Sequence, residues 1–555
     1  MRKNNCFIFL YLFLTSYVSI VYCQKPHIIF ILADDLGWND LSFHGSNEIP
    51  TPNIDALAYN GIILNNMYAQ PVCTPSRASL MTGKYPIHTG MQGPPIWGAE
   101  PRGVPLTERF LPEYLRELGY STKAIGKWHL GFFRREYTPL YRGFESHFGY
   151  LNGVISYYDH ILSDQYSRTV ELNGHDMRRN LSTAWDTVGE YATDLFTKEA
   201  VQLIEDQPVD KPLFLYLAHL AAHAGNAGKH LEAPQETINQ FQYITDPNRR
   251  TYAAMVKKLD DSVGTVISAL QRKGMLENSI IIFMSDNGAP TVEYRETSNY
   301  RNWGSNYPYR GVKNTLWEGG VKVPAILWSP QIQQNPRVSL QMMHISDWLP
   351  TLYTAAGGDT SRLPLNIDGL DQWSSLLLNT PSRRNSVLIN IDEKKRTAAV
   401  RLDSWKLVLG TQENGTMDGY YGQTRSNKVP LLNFNAIVES KTYQSLQQLS
   451  QNIFLPISNI DKMRSTRQQA TIHCGANPAP MTPSPCTNGP CYLFNLGNDP
   501  CEQNNIASSR PDISSQLYEL LKYHRRTLVP QSHEQPDLVQ ADPKRFNDTW
   551  SPWVF

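Results

Sequence analysis

From Lys25 to about residue 370 the chain alternates short, unbroken apolar runs with longer stretches of helical periodicity, and this alternation limits the fold more than any other feature. Apolar runs without polar interruption suit strands buried on both faces, which are parallel strands covered by helices. His27–Ala33 is the first such run, Pro212–Ala218 and Ile280–Met284 follow, and a further strand is expected around Tyr120–Ile125, after the helical pattern that ends at Gly119. Between Arg250 and Lys273, Tyr252, Met255, Leu259, Val263, Val266 and Leu270 recur every three to four residues, and Gly274 stands where a helix-ending residue belongs. Thr107–Gly119, with Leu111, Leu115 and Leu118, and Leu195–Ile204 read the same way. The expected class is α/β, with a large, mostly parallel sheet flanked by helices.

Beyond about residue 380 the texture changes. Ser386–Ile391 and Thr397–Gly410 read as antiparallel strands, the latter turning at Asp403-Ser404, while residues 411–485, rich in Asn, Gln, Ser, Thr and Pro, read as loops. The expected organisation is residues 24–380 as a catalytic domain and residues 381–555 as a smaller α+β domain with an antiparallel sheet. Residues 1–23 have the layout of a secretory signal peptide: Arg2 and Lys3, an apolar stretch from Phe7 to Ile20, then Val21-Tyr22-Cys23. No other segment is long and apolar enough to be expected to span a bilayer.

Composition then removes one class of partner. With 51 Lys+Arg against 51 Asp+Glu and no dense basic run, the chain lacks the electrostatic footprint of nucleic-acid binding. The secretory route predicts glycosylation at the sequons of Asn180, Asn414 and Asn547. It also reduces seven cysteines to five in the mature chain. Cys474, Cys486, Cys491 and Cys501 are close in sequence and predict two disulfides in any of three pairings, which leaves Cys73 as a free thiol, either a buried spare or a reactive group.

In a parallel sheet, functional groups gather just beyond the carboxyl ends of the strands. The first strand runs into Asp34-Asp35 and the strand at Ile280–Met284 into Ser285-Asp286-Asn287-Gly288. Asp34, Asp35, Asp286 and Asn287 make a hard-oxygen set suited to Ca²⁺ or Mg²⁺. Cys73 opens the segment Cys73-Thr74-Pro75-Ser76-Arg77-Ala78-Ser79-Leu80-Met81-Thr82-Gly83, where Pro75 suits a first helical turn. Cys73 would then stand at a helix N-terminus, which favours an anion, with the fixed positive fork of Arg77 nearby.

That segment resembles the signature of the sulfatases, C-x-P-S-R-x-x-x-x-T-G, whose cysteine is oxidised during secretion to formylglycine. A second family signature matches Gly119-Tyr120-Ser121-Thr122-Lys123-Ala124-Ile125-Gly126-Lys127-Trp128-His129. The likeness continues through Ala33-Asp34-Asp35-Leu36-Gly37, Asp286-Asn287-Gly288 and Lys313-Asn314-Thr315-Leu316-Trp317-Glu318-Gly319-Gly320, and covers nearly the whole mature chain. It implies an alkaline-phosphatase-like fold and hydrolysis of sulfate monoesters. It also implies one Ca²⁺ held by Asp34, Asp35, Asp286, Asn287 and the modified Cys73. Arg77 and Lys127 would support the nucleophile and the sulfate oxygens, and His129 would receive the proton released when the sulfated intermediate collapses. Lys313 and His223 would face the sulfate and the leaving oxygen, although the family's His-x-Pro is here His223-Ala224-Gly225, with His219 and His230 nearby.

Within the family the likeness points to the animal N-acetylgalactosamine-4-sulfatase branch. It implies lysosomal or secreted enzyme, matured by a formylglycine-generating enzyme and acting on 4-sulfated N-acetylgalactosamine of glycosaminoglycans. Small dietary sulfates such as glucosinolates are the alternative substrate, and a catalytically silent secreted binding protein is the alternative of another class.

Overall fold

The computed structural model describes residues 24–292, 301–332, 335–423, 428–453, 455–475, 481–486 and 489–555. The signal-peptide reading of residues 1–23 lies outside them. His27–Ala33 (β1) has the sequence HIIFILA, with every residue buried. Its apolar side chains, three of them β-branched isoleucines, fit a pleated surface covered on both sides. β1 pairs in parallel with Leu213–Ala218 (β3) on one side and Ser279–Ser285 (β4) on the other, and β3 pairs in parallel with Ser121–Lys127 (β2). These four strands centre a ten-stranded sheet. Ser146–Tyr150 extends it in parallel beyond β2, and Ala325–Trp328 pairs antiparallel with β4.

Alternate residues of β1 enter two different cores, as a period of two requires. Ile29 and Ile31 pack with Ala192–Asp206 and Pro247–Arg272, whereas Ile28, Phe30 and Leu32 face Cys73–Thr82 and Trp348–Ala355. In chain order Cys73–Thr82 is α1, Ala192–Asp206 is α2 and Pro247–Arg272 is α3. The α3 helix begins where Asp246 accepts from the amides of Asn248 at 2.8 Å and Arg249 at 3.1 Å. Just past its end, Gly274 adopts φ +71°, the left-handed conformation expected of a glycine there.

A separate five-stranded antiparallel sheet runs in the order Ser386–Asp392, Thr397–Leu402, Trp405–Leu409, Gly489–Asn495, Ser484–Cys486. Leu402 lies opposite Trp405, so the turn falls at Asp403-Ser404 as the sequence indicates. The loop reading of residues 411–485 is overturned. This stretch contains helices at Phe434–Val438, Lys441–Ile453 and Ile460–Ala470, and Tyr443, Leu446, Leu449 and Met463 join the core of the large sheet. Their apolar residues are few and diluted by Gln and Ser, so composition concealed a narrow amphipathic stripe that only its docking site reveals.

The disulfides are Cys474–Cys501 and Cys486–Cys491, one of the three pairings left open, and Cys73 is free and buried. Among the described residues no helix is long and apolar enough to cross a membrane.

Candidate active site

Strand register assembles the site. Ala33 of β1 lies beside Ser285 of β4, and Leu32 beside Ala218 of β3, so the residues following all three strands emerge on one rim. The backbone locks them there: Asp286 N–H donates to the Ala33 carbonyl at 3.1 Å and Asp34 N–H to the Ala221 carbonyl at 3.0 Å. Cys73 is the first residue of α1, preceded by extended Val72, and all ten residues of that helix are buried. Its Sγ lies 3.6 Å from Asp34 Oδ1.

Three buried carboxylates here face three buried cations. Lys127, the last residue of β2, places Nζ 2.6 Å from Asp34 Oδ2. Lys313 Nζ lies 2.7 Å from Asp35 Oδ1, and Arg77 donates through Nε and Nη2 to Asp286 Oδ2 at 3.1 and 2.8 Å. Arg77 Nη1 turns to the Tyr216 hydroxyl and the Lys127 carbonyl, both at 3.4 Å, so its fork is fully engaged in holding other groups. Burial alone would raise the Asp34 carboxyl, but Lys127, His223 and Arg77 outweigh it and hold Asp34 below its ordinary value. Asp286 goes the other way, raised by burial and by neighbouring Asp34.

The oxygen set fits a divalent cation. Asn287 Nδ2 donates to Asp35 Oδ1 at 2.6 Å, which leaves the buried Asn287 Oδ1 without a hydrogen-bond partner among the described residues. Buried carbonyl oxygens are rarely left unpaired, and an orphaned one beside three carboxylates suits a hard ion. Ligand atoms of Asp34, Asp35, Cys73 and His223 also lie within 4.8 Å of one another.

Both histidines are held by backbone. His129 sits at φ +59°, donates from Nε2 to the Ile96 carbonyl at 3.0 Å, and leaves Nδ1 unpartnered among the described residues. Burial first, and then Lys127, push its pKa well below the ordinary value, so it rests as a neutral base. His223 Nδ1 donates to the Ala224 carbonyl at 2.6 Å, leaving Nε2 3.3 Å from Lys313 Nζ and 3.4 Å from Asp35 Oδ2. His219 instead meets Ser262 of α3 on the far side of the sheet, 3.1 Å away. Position thus sets His223, the histidine named from sequence, apart from its neighbour His219.

All ten predicted catalytic and metal-binding residues converge on one rim, whose cavity of about 100 Å³ is bordered by Cys73, His129, His223 and Lys313. Several supporting residues were not singled out from sequence. Ser76 Oγ donates to the Asp286 carbonyl, Asn302 Nδ2 donates to the carbonyls of Asp35 and Ala222 at 2.9 Å each, and Thr74 Oγ1 donates to the His129 carbonyl at 3.1 Å. Ser76 and Thr74 lie inside the motif and could have been examined there. Asn302 carries no local signal.

A buried cysteine at a helix N-terminus, cationic groups around it and an oxygen cradle at a parallel-sheet rim are the build of an enzyme that hydrolyses anionic esters. The family model described as Sulfatase matches residues 26–358. Mouse arylsulfatase J is 35% identical over 550 residues, covering 96% of this chain and 80% of that protein. Rat N-acetylgalactosamine-6-sulfatase is 35% identical over 559 residues, covering 95% and 90%. Among solved structures, Ps i-CgsB in complex with k-i-k-neocarrahexaose aligns with a TM-score of 0.68 at 25% identity, covering 95% of this chain and all of that one. The PsFucS1 sulfatase from Pseudoalteromonas sp. shares the fold, with a TM-score of 0.62 and 93% of each chain covered. The chain belongs to the sulfatase family, and it is a sulfuric ester hydrolase.

Proposed function

We propose that this enzyme hydrolyses a sulfate monoester of a sugar, with residue 73 in its oxidised formylglycine form as the nucleophile. The observation that carries the reading is the position of Cys73, buried at the N-terminus of α1 with Sγ against Asp34 and bordering the cavity with His129, His223 and Lys313. As a thiol, burial pushes its pKa up to about 12, so it would remain protonated and unreactive near neutral pH. The aldehyde hydrate supplies what a thiol lacks: a second hydroxyl whose deprotonation expels sulfate. Because every residue of α1 is buried, the formylglycine-generating enzyme must act before the chain folds.

Each neighbouring group then has a task. Asp34, Asp35, Asp286 and Asn287 would hold Ca²⁺, which supplies positive charge for sulfuryl oxygens. Lys127 and Lys313 add two buried cations, and Arg77 orients Asp286 rather than contacting substrate through a free edge. The unpartnered Nδ1 of His129 is the acceptor for the diol proton released as the sulfated intermediate collapses. His223 and Lys313, 3.3 Å apart, are the pair that returns a proton to the leaving oxygen.

For substrate, the names of the relatives and of the carbohydrate-bound structural neighbour support a sulfated sugar; 4-sulfated N-acetylgalactosamine is the form drawn from the sequence likeness alone, while the rat relative's name carries a 6-sulfate. A small dietary sulfate is the second reading. Two disulfides and exposed Asn180, Asn414 and Asn547 support passage through an oxidising, glycosylating compartment, and a lysosomal or secreted enzyme. We assign residues 24–380 to the catalytic domain and residues 381–555 to the smaller one. Mass analysis of active protein tests the nucleophile: the Cys73 peptide should be lighter by about 18 Da than its thiol form. Cys73→Ala should melt normally and lose essentially all sulfate release. Full activity with an intact thiol would refute the assignment.

A further inference from the structure

The cavity wall beyond the sulfate end differs in character from the catalytic rim. It is built from the loop around Trp97 and from a two-stranded hairpin, Ile161–Gln165 with Glu171–His175, in which Gln165 pairs with Glu171. The two pieces are strapped together. Gly98 N–H donates to Asp164 Oδ2 at 2.8 Å, the Tyr166 hydroxyl donates to the same oxygen at 2.5 Å, and Ala99 N–H donates to that hydroxyl at 2.7 Å. The rings of Trp97 and Tyr166 lie 5.6 Å apart. The strap reaches the catalytic rim, because the Ile96 carbonyl beside Trp97 receives the His129 hydrogen bond. An aromatic face fixed in this way suits the C–H surface of a sugar or aryl ring.

The charges on this wall all have one sign. Asp164 is engaged by Gly98 and Tyr166, but the exposed Glu171 side chain has no hydrogen-bond or ion-pair partner among the described residues. Of the described residues lining the cavity, Lys313 alone carries a permanent positive side chain, and it sits at the sulfate end against Asp35. Arg168, on the hairpin's exposed turn, does not line the cavity. An anionic neighbour on the substrate, such as a uronate carboxylate or a second sulfate, would therefore meet an unneutralised carboxylate with no cation to receive it.

We infer that Glu171 determines specificity by charge: the enzyme takes esters whose scissile sulfate is their one negative charge within reach of this wall, and discriminates against those with an adjacent anion. This rests on the reading that the cavity hydrolyses sulfate esters, and within it favours the small sulfates of the second reading over glycosaminoglycan ends, where a uronate adjoins the sulfated N-acetylgalactosamine. A carboxylate several ångströms from a substrate anion, across a partly solvated cavity, is expected to change relative turnover roughly three- to ten-fold.

The test compares formylglycine-bearing wild type with Glu171→Gln on two matched sulfated disaccharides, one with a free uronate neighbour and the other with its methyl ester. A small aryl sulfate serves as the control. Wild type should prefer the ester by roughly three- to ten-fold in kcat/KM at low salt, and roughly 0.5 M salt should erode the preference by screening. Glu171→Gln should bring the two substrates to within about two-fold of each other, with the change carried by the free uronate when each is referred to aryl sulfate turnover by the same variant. Equal or faster turnover of the free uronate by wild type would overturn the proposal, as would an undiminished ester preference in Glu171→Gln. Failure of wild type to cleave any of the three, the aryl sulfate included, would instead sink the sulfate-ester reading on which the proposal stands.

Discussion

Replacing Lys406 with methionine should destabilise the fold more than any single surface change. Lys406 is completely buried in the antiparallel sheet, with Nζ 2.9 Å from Glu318 Oε1 and 2.8 Å from Glu502 Oε1. Glu318 follows directly on Trp317 in the segment that carries Lys313, and its amide donates to Glu502 Oε2 at 2.7 Å. One ammonium thus joins the smaller sheet to the loop that supplies an active-site cation. At an effective permittivity of 20, each contact is a Coulomb attraction of about 6 kcal/mol, most of it offset by desolvation. What remains after deletion is the uncompensated pair. Burial, together with the Glu318 carboxylate, already raises Glu502, whereas Lys406, Lys322 and Arg401 hold Glu318 down against the effect of burial. Removing one partner of such a pair costs about 3–5 kcal/mol. With an unfolding entropy of about 2 cal/mol/K per residue, this corresponds over the whole chain to a Tm drop of about 3–4 °C by calorimetry. Lys406→Met combined with Glu502→Gln should recover at least half the loss, because one negative charge then leaves with the positive one. A single variant melting within about 1 °C of wild type, or a double variant no better than the single, would refute the reasoning.

Three further outcomes follow from other parts of the structure. Calcium at about 100 times its Kd should stabilise the protein by about 2.7 kcal/mol in thermal melts, and Asp286→Asn should abolish most of that gain. Gly288→Ala should lower both stability and sulfate release, because its Cβ would fall 1.9 Å from the Gly319 carbonyl and force the Lys313 segment away from Asn287; activity within two-fold of wild type, roughly 0.4 kcal/mol, would contradict this. His27 accepts the Leu213 amide at 3.2 Å, and burial pushes its pKa down from 6.5 to about 4. The unfolded chain therefore takes up that proton first, so the contribution is full above pH 6.5 and lost as pH falls toward 4, by about 3 kcal/mol. Denaturant melts across that range should show His27→Gln losing less stability than wild type.

The elements and groups legible in the sequence were those written in contiguous residues. The unbroken run of β1, the helical spacing of α3 with Gly274 after it, and the hairpin at Asp403-Ser404 are local patterns that burial and turn geometry translate directly into structure. Asp34-Asp35, Asp286-Asn287 and the Cys73–Gly83 segment were visible for the same reason: each lies on or just after one element, and a parallel sheet brings such ends to one rim.

Tertiary structure decided whatever depends on which distant segments touch. The sequence favoured His223 with His219 and His230 as nearby alternatives, and chain reversal after β3 sends His219 toward α3 and His223 to Lys313, 90 residues away in sequence. Four clustered cysteines allowed three pairings, and the fold selected Cys474–Cys501 and Cys486–Cys491. The helices within residues 434–470 were concealed because their few apolar side chains acquire meaning only against the face of the large sheet that buries them. Glu171 and Trp97 carry no motif, and they border the same cavity only because Asp164 and Tyr166 tie their two loops together. A strand's burial is encoded in its own residues, whereas a cavity wall is a relation among segments and exists only once they are packed.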